Sequence, residues 1–237
     1  MKFYTEIANY YDEIFKKNEN QIHFLKELAG DPPKYILDVA SGTGENAIAL
    51  NEAGHMVTAI DLNRSMINAL QTKSLKVESY VMNMLHIDNF KSCFDLIYCV
   101  GNSVVHLENE EEVLSFFKKA YKSLNEGGKF AVQIINYDRV LDHNVKSLPT
   151  IVNEERGITF ERYYDYNEFR NKIEFRTVLK TQANEMGNKV YLLPIRFIEL
   201  ESLLMEAGFK NMEYYGSFKK DEFNPDESFH LISVAYK

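Results

Sequence analysis

From residue 34 onward, short apolar runs alternate with longer segments that are apolar on one side only. The runs are "KYILDVA" (34–40), "MVTAID" (56–61), "KVESYVM" (76–82), "FDLIYCV" (94–100) and "KFAVQII" (129–135). Strands covered on both faces read this way. Between them, the segment after "SGTGE" carries Ala47, Ile48 and Leu50 and ends at Gly54. "RSMINALQT" follows, and then "EEEVLSFFKKAYKSL", with Val113, Leu114, Phe117, Ala120, Tyr121 and Leu124 at helical spacing. "HIDNF" predicts a loop and "NEGG" a turn. Strand and helix in alternation predict a mainly parallel sheet with helices on both faces and right-handed crossovers. Residues 4–28 predict two helices broken near "KKNEN" and stopped by Asp31, Pro32 and Pro33.

From about residue 149 the period changes. "ITFERYYDYNE", "KIEFRTVLKTQ" and "KVYLLPI" alternate apolar and polar positions, the rhythm of antiparallel strands with one wet face. "FIELESLLMEAGF" returns to a helix stopped by Gly208, and "NMEYYGSF" and "SFHLISVAYK" read as two last strands. The expected organisation is one domain over 1–237, with a helical cap over 1–30 and an antiparallel insertion over about 149–194.

A chain of 237 residues is long enough for a sizeable core. The net charge of −8 argues against nucleic acid and anionic membrane as partners. The first residues lack a long apolar stretch, so neither a signal peptide nor a membrane helix is expected. Cys93 and Cys99 have no zinc spacing and no histidine cluster beside them. They are expected to be reduced and buried, in a cytoplasmic protein that needs no metal.

The chemistry concentrates in "LDVASGTGENAIAL". A strand, a glycine turn and a helix put backbone and a helix N-terminus at the carboxyl edge of a parallel sheet. Gly42 and Gly44 let a ligand approach the backbone. Asp61 ends the next strand, placed to accept from both hydroxyls of a ribose. The pattern points to a nucleoside-containing ligand. "GTGENA" also fits a dinucleotide fingerprint, but Asp38 and Glu45 flank the loop and oppose a pyrophosphate. They favour a cationic ligand such as S-adenosylmethionine. A glycine turn that merely joins two elements is the remaining reading.

Taken in series, the motifs resemble the class I S-adenosylmethionine-dependent methyltransferases. "LDVASGTGENAIAL", "VTAIDLNRSMI", "NML" (83–85), "FDLIYCVGNSVVHL" and "LNEGGKFAVQI" each resemble a family motif in the family's order. The resemblance implies an α/β three-layer fold around a seven-stranded sheet ordered 3-2-1-4-5-7-6, with strand seven antiparallel. It implies a donor site formed by Tyr11, Asp38, Ala40, Ser41, Gly42, Gly44, Asn46, Asp61, Leu62, Met66, Asn83, Met84, Val100 and Asn102. Asn83 stands where many members carry an acid. "CVGNSVVHL", "INYDRVL", the insertion and "YGSFKKDEFNPDES" look like the glycine and sarcosine N-methyltransferase group; sugar-nucleotide N-methyltransferases share the early motifs and a similar insertion. The acceptor is then a small molecule, with nitrogen favoured over oxygen. A donor-binding regulator without turnover is the rival from another class, and a dehydrogenase comes third. The oligomeric state stays open.

Methyl transfer from a sulfonium chiefly needs alignment and exclusion of water. His106, Asn136 and Tyr137 follow strands four and five at the right edge and are the expected catalytic group, with Asn102 and Ser103 alongside and Arg139 an option for a carboxylate. Tyr4 and Tyr11 are expected to close over the donor. In the insertion, Arg162 shares a strand face with Tyr164, and Glu161 with Tyr163. Arg162, Arg176, Arg196 and Lys189 are equal candidates to hold an acceptor carboxylate.

Overall fold

The computed structural model describes Ile7, residues 10–91 and residues 93–237. Tyr4 lies outside the described residues. Two sheets organise the chain. The larger has seven strands: β1 (Tyr35–Val39), β2 (Met56–Asp61), β3 (Glu78–Val81), β4 (Phe94–Cys99), β5 (Leu124–Ile135), β10 (Asn211–Tyr215) and β11 (His230–Tyr236). Their order is β10-β11-β5-β4-β1-β2-β3, so the expected 3-2-1-4-5-7-6 arrangement holds. The β5/β11 pair is antiparallel, and β1, β2, β3, β4 and β5 are mutually parallel.

Helices cover this sheet. The short α1 (Tyr11–Ile14) and α2 (Glu19–Ala29) precede it; α3 (Glu45–Glu52), α4 (Arg64–Lys73), α5 (Glu110–Ser123), α6 (Tyr137–Asp142) and α7 (Phe197–Ala207) follow in chain order. Capping is local and legible. Asn18, Asn63, Asn109 and Asn136 each accept a backbone N–H of the following helix through the side chain. Gly208 ends α7 at φ 115°, a conformation that favours glycine. Of the strip read at helical spacing, Val113, Phe117 and Ala120 are fully buried, Leu114 and Tyr121 are partly buried and Leu124 begins β5; Phe116, outside the strip, is also fully buried and packs with Phe117 on Phe130 of β5.

The second sheet is antiparallel, ordered β6-β7-β8-β9 from β6 (Ser147–Asn153), β7 (Ile158–Asn167), β8 (Lys172–Lys180) and β9 (Glu185–Leu192). It is inserted between α6 and α7. The alternating rhythm marked three of its strands and missed β6. Pro149 interrupts that segment, and the β6–β7 register shifts between Leu148 and Ile151 around it. Proline is tolerated because β6 is an edge strand. The six-residue α6 was also unmarked, being too short for a period. The expected loop at "HIDNF" is a 3-10 turn over Met84–Asn89. The "NEGG" turn is absorbed into β5, with Gly127 at φ 75°.

Cys99 is buried as expected, whereas Cys93 is exposed; neither is disulfide-bonded. Cys93 precedes β4 and so falls outside the covered part of the sheet. No helix among the described residues is long and apolar enough to cross a membrane.

Candidate active site

The carboxyl edge of β1 turns sharply. Ala40, Gly42 and Gly44 take φ values of 59°, 56° and 81°. The two glycines serve different neighbours. A Cβ on Gly44 would lie 2.3 Å from Leu70 of α4, so its smallness is required by packing between helices. A Cβ on Gly42 would meet the Tyr11 ring at 3.3 Å, which lies directly over the loop. Tyr11 is held there by its segment: the Thr43 hydroxyl donates to Asp12, and Lys73 pairs with Asp12.

The loop N–H groups are mostly committed within the protein. Ser41 N–H donates to the Ile60 carbonyl at 2.9 Å, Gly44 N–H to Ser41 O at 3.0 Å, and Gly42 N–H to Asp61 Oδ2 at 2.9 Å. Asn63 N–H donates to Asp61 Oδ1 at 2.7 Å. These two bonds fix the Asp61 carboxylate at the strand end, and each oxygen keeps a lone pair for a further donor. Burial raises the Asp61 carboxyl above its usual range, with the two N–H donors pulling it back.

Asp38 is the electrostatic centre. It is buried, and burial pushes its carboxyl up to about 7; the Asp61 charge adds to the rise, while the Tyr98 hydroxyl and the Ala47 N–H pull it back. The Ser41 hydroxyl is buried without a hydrogen-bond partner. Burial also raises Glu45. A buried carboxylate behind a glycine turn fits a cationic head group and repels a diphosphate. Leu62, beside Asp61, is half exposed, an apolar shelf of the sort a flat base would cover. Met84 is partly buried against the core, and the Asn83 side-chain oxygen caps the turn by accepting from Leu85 N–H at 2.9 Å. Met66 is buried within α4 and does not reach the cavity wall.

From Asp38 a cavity of about 550 Å³ opens toward the inserted sheet. Tyr11, Ala40, Ser41, Asn46, Val100 and Asn102 line it with Asp38, half of the expected donor-side residues, and His106 joins them; Gly42, Gly44, Asp61, Leu62, Asn83 and Met84 stand outside its lining. Asn102 is held at φ 64°; its Oδ1 accepts from Ile135 N–H at 2.9 Å and its Nδ2 donates to the Tyr137 hydroxyl at 3.1 Å. His106 lines the cavity and burial lowers its ring to about 4, so it is neutral at pH 7.

Asn136 departs from expectation. It is fully buried, caps α6 through Oδ1, and donates through Nδ2 to the carbonyls of Pro225 (2.8 Å) and Ser228 (2.9 Å). Both Nδ2 hydrogens are occupied, and the residue ties the 224–228 loop to β5 away from the cavity wall. Arg139 lies over the Phe229 ring, 5.5 Å from its centroid, outside that wall.

Among the wall residues that the sequence reading missed are Gln133 and His230. Gly101 N–H donates to Gln133 Oε1 at 2.7 Å, so Gln133 Nε2 is the donor toward His230 Nδ1 at 3.0 Å. That network assigns the His230 ring proton to Nε2 and makes the ring a hydrogen-bond donor on its other side. Burial holds His230 at about 4. The missed signal was simple: one glutamine inside the apolar run "KFAVQII" must have buried partners.

The comparisons agree with this geometry. A methyltransferase domain model matches residues 36–128. The chain is 28% identical to the glycine/sarcosine N-methyltransferase of Aphanothece halophytica, covering 99% of this chain and 86% of that protein. It is 28% identical to the glycine/sarcosine N-methyltransferase of Halorhodospira halochloris, covering 90% and 80%. Among solved structures, the CcbJ methyltransferase from Streptomyces caelestis superposes with a TM-score of 0.83 at 19% identity, covering 97% of this chain and 95% of that one.

Proposed function

Because the chain belongs to the class I S-adenosylmethionine-dependent methyltransferases and is an enzyme of that class, we propose that it methylates the amine nitrogen of a small molecule. The observation that carries the proposal is the cavity reaching from the buried Asp38 carboxylate to the inner face of the inserted sheet. A volume of about 550 Å³ suits the methionine end of the donor plus a small acceptor, and no polymer. Nitrogen as acceptor rests on the two N-methyltransferase relatives.

When bound, the donor supplies a methyl group on a cationic sulfur, already activated for displacement. The protein's part is to hold and dry the site. In this reading Asp38 meets the ammonium end, Asp61 the ribose hydroxyls, and Leu62 and Met84 flank the base. Tyr11 closes over the loop as part of a cap, and the inserted sheet is a lid. His106, with its ring near 4, is too weak a base to take the proton of an alkylammonium. The acceptor therefore enters as the free amine, while neutral His106, Asn102 and the Asn102–Tyr137 pair orient it.

The test is a mass-spectrometric screen of glycine, sarcosine, other small amines and aminosugars for methylated product. N-methylated product from a small amine is expected. Transfer only to oxygen acceptors, or donor binding without turnover on any of them, would overturn the proposal.

A further inference from the structure

At the far end of the cavity, β11 contributes a histidine whose hydrogen is assigned from the backbone outward. Gly101 N–H donates to Gln133 Oε1 at 2.7 Å, which fixes the amide and leaves its nitrogen facing His230 Nδ1 at 3.0 Å. Gln133 is buried, so water does not compete for that amide. His230 Nδ1 therefore accepts, and Nε2 carries the proton. The ring lines the cavity, and among the described residues nothing accepts its Nε2–H. Burial keeps the ring neutral at pH 7.

The surroundings hold the ring in place. Phe229 packs edge-on with centroids 4.8 Å apart, and Phe218 lies at 6.0 Å; both also line the cavity. The loop between them is tied down. Gly216 N–H donates to Asp221 O at 2.8 Å, Lys220 pairs with Glu27 of α2 at 2.8 Å, and Asn136 Nδ2 holds the Pro225 and Ser228 carbonyls. A fixed, neutral N–H inside an aromatic collar is a site of defined polarity.

Its place in the sheet says which ligand it meets. β11 stands three strands from β1, roughly 14 Å at the usual spacing. Asp38, proposed above to meet the donor's ammonium, is on β1, so the ring faces the acceptor's side. An N–H aimed at the acceptor amine would occupy the lone pair that attacks the methyl group, so the ring meets a different atom. A neutral ring cannot balance a buried charge, so that atom is uncharged.

We propose that His230 is a specificity-determining residue, and that the acceptor is an amine carrying an uncharged oxygen, a hydroxyl or a carbonyl, on an arm that reaches β11 and accepts from His230 Nε2–H. This rests on the small-amine reading above and deepens it.

The experiment uses the full chain and matched pairs of amines with and without the oxygen: 3-aminopropanol and propylamine, 5-aminopentanol and pentylamine, 4-aminocyclohexanol and cyclohexylamine. Methyl transfer is measured with S-adenosylmethionine, and acceptor binding by calorimetry on the chain saturated with S-adenosylhomocysteine. In wild type the oxygenated member of at least one pair should be favoured about tenfold or more in kcat/KM and in affinity, since its partner leaves the N–H unpaired. His230→Phe should bring that ratio to about one. His230→Gln, which keeps an N–H donor, should recover part of it. Gln133→Met, which releases the tautomer and leaves the ring, should lower it. Affinity for S-adenosylhomocysteine should hold in all three.

No preference within any pair in wild type, or a preference unchanged in His230→Phe, overturns the inference. So does lost affinity for S-adenosylhomocysteine in a variant with a wild-type unfolding midpoint, which would assign the ring to the donor. Where His230→Phe does not fold, His230→Gln and Gln133→Met read the same ratio. The two readings fail separately. Equal turnover of both members of every pair leaves N-methylation standing and removes the role of His230. Oxygen-selective binding lost in His230→Phe, with no turnover of any amine, keeps that role and removes the amine reading. Neither binding nor turnover of any member overturns both.

Discussion

The two parts of the site proposed for donor and acceptor are built from different materials. The donor part is backbone and the Asp38 carboxylate at the end of a parallel sheet, with Asp61 at the end of the neighbouring strand accepting from Gly42 N–H of the glycine loop. The acceptor half is side chains brought in by separate elements: Gln133 from β5, His230 from β11, Arg162 and Tyr164 from the inserted sheet. Backbone geometry tolerates little change, since a turn with three residues at positive φ accepts few sequences. A side-chain wall can be repopulated without disturbing the fold. Under the proposed function, the cofactor would be held by local chain geometry and the acceptor by side chains that strand register places.

The comparison can be broken most severely at the loop. Gly44→Val should cost roughly 3 kcal/mol or more, from overlap with Leu70 added to a strained positive φ. Thermal unfolding measures it, and a wild-type midpoint would show that the loop is not rigid. Gly42→Val should spare more of the fold, because only the far end of Tyr11 opposes it.

Asp61→Ala comes next. It should weaken donor binding about 10–100-fold while acceptor affinity holds, since only the donor half is touched. Unchanged calorimetric affinity for the donor would remove the ribose role.

Asp38 sharpens the comparison through pH. Its carboxyl, near 7 in the protein and raised from 3.8, is protonated below that value, and a bound cation needs it ionised. Donor affinity should therefore rise with pH up to about 7, roughly tenfold per unit on the acid side, with proton release on binding. The same raised pKa means that the unliganded fold loses stability as pH climbs from about 4 to 7 and levels off above. Asp38→Asn should flatten both dependences. Calorimetry in buffers of different ionisation enthalpy reads the proton, and pH-independent affinity in the wild type would contradict the assignment.

On the acceptor side, the pH–rate profile should follow the pKa of the chosen amine rather than a histidine. His106→Gln should leave that limb in place. A limb that shifts or vanishes in the variant would make His106 the base. The smallest effects are expected at Arg176→Ala and Lys189→Ala. Both pair with Glu174 on the wet face, so turnover should be unchanged and stability should move by no more than about 0.5 kcal/mol. A marked loss of turnover in either would mean that the inserted sheet presents its other face.

Much of this molecule was readable before any coordinate. Apolar runs and glycine stops placed the parallel strands, and the carboxylate after a glycine turn marked the ligand edge, because both signals are local and follow from backbone sterics and strand burial. Asn136 shows the opposite case. Its position at the end of β5 was correct, yet whether it faces the cavity or caps a helix depends on the loop at 224–228, nearly ninety positions away.

By itself, then, the sequence determined a seven-stranded parallel-type sheet, its glycine loop and the acids around it. Tertiary structure decided which polar residues face inward. Arg162 pairs with Thr177 while Arg176 pairs with Tyr163, so one guanidinium enters the cavity and the other meets solvent. A slip of one residue would exchange faces along the strand, and only the packed sheet sets that parity.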